Sequence, residues 1–191
     1  MKTLILAFLA LCVALPLHAQ NGLENGDFSD GITHWHGDGR SPADFASDNP
    51  MAKPDPLTSK GLIIPLKPSS WSKVAQDFRS KTGAGTLSIT YLLSPDFTFS
   101  TKDEDYDNMP EHLGWGWKTF KIPTGSWMIS INDSTGTTGI HYGVKNSGKT
   151  GTPLTQTFNL KATPDDKNTL TICIPPGSGI FVLLNVSVTG S

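Results

Sequence analysis

Short runs of alternating apolar and polar residues, each cut off by a cluster of turn-forming residues, constrain this chain more than any other feature. Val74, Gln76 and Phe78 share one face of such a run. Leu87, Ile89, Tyr91 and Leu93 share a face of another, against Thr86, Ser88 and Thr90. Trp127, Ile129 and Ile131 repeat the pattern, as do Leu154, Phe158 and Leu160, then Leu170, Ile172 and Ile174. A period of two is the signature of half-buried β-strands. The run from Ile180 to Val188 is apolar on both faces at its start, as in a buried central strand, and later turns Val186 and Val188 inward. Residues 81–85, 132–136, 164–168 and 175–179 separate the runs with Gly, Pro, Asn, Asp and Ser. No stretch keeps a helical period for about ten residues without a breaker. The pattern predicts an all-β fold, a two-sheet jelly-roll β-sandwich. Residues 94–117 break the rhythm by mixing polar, acidic and aromatic side chains, and predict a long surface loop.

The N-terminus carries a different signal. Lys2 precedes an apolar run from Leu4 to Leu15, and Pro16, Leu17, His18 and Ala19 follow. This order predicts a cleavable signal peptide over residues 1–19 and a single β-sandwich domain over residues 20–191. The apolar run is shorter than the about 20 residues a membrane-spanning helix needs, and no second run is longer. Cys12 lies inside the run after Leu11, which is the wrong context for a lipid anchor. The expected destination is secreted or periplasmic. Only Cys173 then remains, so no disulfide forms within the domain and core packing must hold it. The formal charge of −2 becomes −3 once Lys2 is removed, and nothing steers the chain to nucleic acid or an anionic membrane.

Several motifs touch known chemistries and fail their context. Residues 143–150 match a phosphate-binding loop, but Gly151 and Pro153 follow where a helix must start, so no nucleotide is expected. His34 and His36 flank Trp35, with His112, His141, Asp38 and Asp44 at no zinc-like spacing. Asp103, Asp105 and Asp107 alternate as in a calcium loop, yet Asn108 stands where the turn glycine belongs and Gly114 where the bidentate Glu belongs. Glu104 and Glu111 have no visible carboxylate partner for glycoside hydrolysis. Cys173 alternates outward on its strand and reads as a packing thiol. No cofactor, resident metal or catalytic apparatus is expected.

The two ends carry a specific likeness. Asn25-Gly26-Asp27-Phe28-Ser29-Asp30-Gly31 followed by Trp35, and Gly177-Ser178-Gly179 leading to Asn185-Val186-Ser187-Val188, resemble the opening and closing strands of carbohydrate-binding modules of the galactose-binding-like jelly-roll type. The resemblance implies a sandwich plugged at one end by Phe28 and Trp35 and a non-catalytic, sugar-binding role. It also implies a structural calcium between the two ends, expected here to be absent or weak: Ser29 and Leu184 stand where the family has carboxylates, with Asp27, Asp30 or backbone carbonyls as partial substitutes.

For a sugar site, flat indole faces that stack on pyranose rings are the clearest signal. Trp115 and Trp117 flank Gly116 in the long loop, near Tyr106 and Phe97. They form the expected platform, with Tyr106 beside them and Glu111 or Asp107 bonding hydroxyls; the competing reading makes the Trp pair a cover for the sandwich edge. The chain therefore reads as a secreted non-catalytic binding module for a glycan or envelope polysaccharide. Its rivals are a protein-interaction or envelope-structural domain and, further off, a small glycan-active hydrolase or lyase. Ligand identity and oligomeric state stay open. Exported protein is expected to begin at Gln20 when weighed by intact-mass spectrometry; a mass that retains residues 1–19 contradicts the signal peptide.

Overall fold

The computed structural model describes residues 22–48, 58–100, 102, 123–136 and 139–190. Two antiparallel sheets face each other. The larger contains, in spatial order, β1 (His36–Gly37), β3 (Ser72–Arg79), β9 (Lys167–Ile174), β6 (Ser126–Asn132) and β7 (Gly139–Lys145). The smaller contains β2 (Leu62–Pro65), β11 (Ile180–Thr189), β4 (Ala84–Leu93) and β8 (Leu154–Lys161). A two-residue ribbon pairs β5 (Thr98–Phe99) with β10 (Gly177–Ser178). The chain changes sheet from β2 to β3, from β3 to β4 and again from β8 to β9; among the described strands only β6 and β7 are both successive and paired. This is the jelly-roll sandwich that the alternation predicts.

The inward faces match the alternation strand by strand. Val74 and Phe78 of β3, Leu170, Ile172 and Ile174 of β9, and Trp127, Ile129 and Ile131 of β6 meet Leu87, Ile89, Tyr91 and Leu93 of β4 in one cluster. Phe28, Trp35, Tyr91 and Val186 are buried to 6%, 6%, 1% and 0% exposure, as expected from the sequence. At the centre, Phe181 stacks on Tyr91 with ring centroids 5.1 Å apart. Trp127 of the opposite sheet meets both edge-on, at 5.2 and 5.4 Å. Edge and stacked contacts of this kind add to simple area burial.

In β11 the expected face assignment holds for a reason the pattern hides. Phe181 and Leu183 point inward, then Val186 and Val188 do, a change of parity within one strand. The register against β4 slips between Leu183 and Asn185, so Leu184 is an extra residue, a β-bulge that turns the rest of the strand over. Leu184 joins Ile63, Leu92 and Val182 on the outer side of the smaller sheet. There Phe45 covers them from α1 (Pro42–Asp48), a helix begun by Ser41, whose hydroxyl accepts the Asp44 N–H at 3.1 Å. Beyond that patch the same face carries Thr86, Ser88, Thr90, Thr155, Thr157, Asn159, Asn185, Ser187 and Thr189, a solvated array of small uncharged groups.

One expectation is corrected. Residues 94–100 do not belong to a surface loop: Phe97 is 7% exposed in the core, edge-on to Phe99 at 4.7 Å, and Thr98–Phe99 pairs with Gly177–Ser178. Position 177 must be glycine, because a Cβ there would lie 2.0 Å from the Thr98 carbonyl oxygen. No described helix is long and apolar enough to cross a membrane.

Phe181→Ala is expected to cost about 3–5 kcal/mol in urea-induced unfolding, since it empties the space between Tyr91 and Trp127. Ser88→Ala, on the solvated face of the same sheet, is expected to stay within about 0.5 kcal/mol of wild type. Equal effects would contradict the placement of the core.

Candidate functional site

The expected platform, Trp115 and Trp117 with Tyr106, Asp107 and Glu111, lies outside the described residues, as do Glu104, His112 and the calcium-like positions Asp103, Asp105, Asn108 and Gly114. The phosphate-loop match does not acquire its context. Gly143–Lys145 completes β7, residues 146–150 continue as irregular chain, and the next element is the strand β8. The Asn146 carboxamide oxygen accepts the Gly148 N–H at 3.0 Å, a local turn contact. His34 and His36 part company around the buried Trp35: His34 Nε2 lies 3.0 Å from the Glu24 carboxylate, while His36 stands on β1 opposite Ala75. Among the described residues, no three His, Cys, Asp or Glu side chains are grouped to hold a metal ion.

What the fold does assemble is the outer face of the larger sheet. Registered partners across antiparallel strands share a face. His36 pairs with Ala75, Ala75 with Thr171, Thr171 with Ser130 and Ser130 with His141, so one row runs across all five strands with an imidazole at each end. A second row carries Lys73, Cys173, Met128 and Gly143, and a third Asp77, Thr169 and Asn132. Alternation gives these residues their outward face, and an outward face is normally solvated. Here Met128, Ser130 and Cys173 are 0% exposed, and Ala75, Thr171 and Asn132 below 9%. The middle of the face is therefore sealed, and its accessible groups around the margin are His36, Lys73, Asp77, Arg79, Lys145, Lys167 and Thr169.

The polar chemistry of this face is specific. Asn132 donates from Nδ2 to the Ser130 hydroxyl at 2.9 Å, and its buried Oδ1 has no partner. A buried acceptor without a donor is costly, of order 1–3 kcal/mol. Thr169 donates to Asp77 at 2.7 Å and Lys167 reaches the same carboxylate at 2.8 Å. Partial burial of Asp77 opposes its ionisation, but the Lys167 and Thr169 hydrogen bonds and the charges of Lys167 and His36 outweigh it, holding its pKa below the ordinary carboxylate value. Burial lowers the pKa of His141, so its imidazole is neutral at pH 7 and presents a donor and an acceptor rather than a charge. Burial pushes the Cys173 thiol up to about 12, which keeps it protonated and unreactive.

Sequence reasoning missed this face because alternation tells which residues point outward, not which strands are neighbours. Ser130 lies between Ile129 and Ile131, and Thr171 between Leu170 and Ile172. Small polar residues bracketed by large aliphatics are the available signal, and only the β6–β9 register joins them.

No family model and no curated protein matches the chain in sequence. Similarity emerges in the fold. A family 16 carbohydrate-binding module superposes with a TM-score of 0.51 at 10% identity, over 88% of this chain and 99% of that one. An arabinose-bound α-L-arabinofuranosidase matches with a TM-score of 0.51 at 12% identity, over 88% of this chain and 26% of the enzyme. The enzymatically active domain of a tailspike protein of bacteriophage CBA120 matches with a TM-score of 0.50 at 10% identity, over 88% of this chain and 21% of that one. The chain thus spans the whole of one binding module and a small part of two larger proteins. At this identity the likeness shows the fold: a jelly-roll β-sandwich of the kind found in carbohydrate-binding modules, as the resemblance of the two ends implied.

Proposed function

We propose that this chain is an exported, non-catalytic carbohydrate-binding module. One observation carries the reading. The two sequence segments that resemble such modules meet in space, where Val186 of the closing strand donates to the Gly26 carbonyl at 2.7 Å, inside a fold that covers 99% of a carbohydrate-binding module. The apolar N-terminal run supports export.

Sugar recognition combines flat apolar surface with a few polar groups. We assign the apolar part to the indoles of Trp115 and Trp117 with the Tyr106 ring, and hydroxyl bonding to Asp107 and Glu111. On the described face, the exposed His36 imidazole and the Thr169 hydroxyl at the margin supply further polar groups.

A glycan array with affinity electrophoresis on polysaccharide-containing gels tests the proposal. Wild-type protein is expected to bind at least one glycan weakly. Trp115→Ala or Trp117→Ala is expected to weaken binding about fivefold each, the equivalent of roughly 1 kcal/mol of stacking, with little change in unfolding midpoint. If the wild type binds no glycan and both variants unfold, the Trp pair is core and the protein-interaction domain is the correct reading.

A further inference from the structure

Calcium is bound by about six to eight oxygens, usually with several carboxylates among them. The corner where such a cation would join the two ends of this chain lacks two of these carboxylates and keeps only the exposed Asp27 and Asp30 carboxylates beside Glu24. Ser29 carries no carboxylate and donates to Asp27 Oδ1 at 2.9 Å, which also takes the Ser29 N–H at 3.2 Å. The Leu184 side chain packs against the patch of Ile63, Leu92 and Val182. Glu24 is engaged by His34.

Seven main-chain oxygens of the corner already accept hydrogen bonds. The Glu24 carbonyl accepts Gln76 Nε2 at 2.6 Å. The Asn25 carbonyl accepts the Trp35 indole N–H and the Phe28 N–H, both at 3.2 Å. The Gly26 carbonyl accepts Val186 N, the Asp30 carbonyl Thr33 N, and the Ile32 carbonyl Trp35 N. Gly31 and Thr33 give their carbonyls to the two hydrogens of one group, Asn25 Nδ2, at 3.0 and 3.1 Å, while Asn25 Oδ1 accepts the Asp30 N–H at 3.0 Å. A cation in this corner would have to compete with these N–H donors for the same oxygens.

We propose that the Asn25 carboxamide takes the place of a structural cation, gathering the main chain at positions 30, 31 and 33 around itself and making the closure of the sandwich independent of calcium. A cation collects oxygens from a loop; an amide collects two oxygens through its NH₂ and one N–H through its carbonyl, so it needs no carboxylate. Three non-glycine residues here adopt left-handed backbone, Asn25 at φ 48°, Phe28 at φ 57° and His34 at φ 69°. Such conformations persist only where surrounding contacts over-determine them. Asn tolerates this region better than most residues, which suits it to the hub.

Thermal melts of the exported protein in calcium and in chelator test the inference, with Asn25→Asp and Asn25→Gly beside the wild type. Asp keeps the shape and removes both donated bonds; Gly keeps the backbone freedom and removes the side chain. The wild-type midpoints are expected to coincide within about 1 °C, since a cation bound only by the folded state would raise the midpoint by mass action. Both variants are expected to melt about 4–8 °C lower, in calcium and in chelator alike, the loss of two or three hydrogen bonds in a domain of this size. A calcium-dependent rise in the wild type overturns the inference, and so do Asn25 variants that melt with the wild type. Should the variants fail to fold, the wild-type comparison alone decides.

Discussion

Three rings hold the two sheets in register. Trp127 belongs to the larger sheet, Tyr91 and Phe181 to the smaller, and their mutual contacts at 5.1–5.4 Å fix the spacing that every other inward side chain must fill. With no disulfide available to Cys173, that packing is the main cohesion of the domain. A second aromatic pair packs Phe28 against Trp35 at 5.3 Å, and the Trp35 indole N–H donates to the Asn25 main-chain carbonyl at 3.2 Å. One edge of the sandwich is drawn together by Tyr142 of β7 and Phe158 of β8, rings 5.1 Å apart, with the Tyr142 hydroxyl donating to the Asn159 carbonyl.

Much of this was legible in the sequence, because an inter-sheet core imposes a period of two and turn residues announce where it stops. The inward sets of β3, β4, β6 and β9 can be read directly from the alternation. The bulge at Leu184 cannot: an apolar run reads the same with or without an extra residue, and the shift is defined only by the partner strand. Phe97 was misplaced for a related reason. Its polar neighbours Ser94, Pro95 and Asp96 look like a loop, whereas the two-residue ribbon of β5 with β10 is formed by residues some eighty positions apart, which no local pattern records.

The candidate site divides the same way. The aromatic composition of residues 106–117 and the family-like ends were visible in the chain, but the polar row across the larger sheet depends on strand neighbours that are remote in sequence. Ser130, Thr171 and Asn132 are outward by alternation and yet buried. That contrast separates the two outer faces. The smaller sheet exposes a uniform array of Thr, Ser and Asn that needs nothing beyond water. The larger sheet keeps a sealed centre with a buried acceptor on Asn132, and a margin of imidazole, lysine, arginine, hydroxyl and carboxylate, polar groups of the kind that recognition of a hydroxylated ligand calls for.

Where the proposed glycan site extends to the described residues, it borders the exposed margin of the larger sheet. An NMR titration with the best soluble oligosaccharide, following backbone amides and histidine ring protons, tests it most directly. Saturable shifts are expected at His36 and Thr169, with Ser88, Thr157 and Ser187 of the other sheet unmoved. Saturable shifts confined to that second face, or no shifts with any oligosaccharide at millimolar concentration, would contradict it.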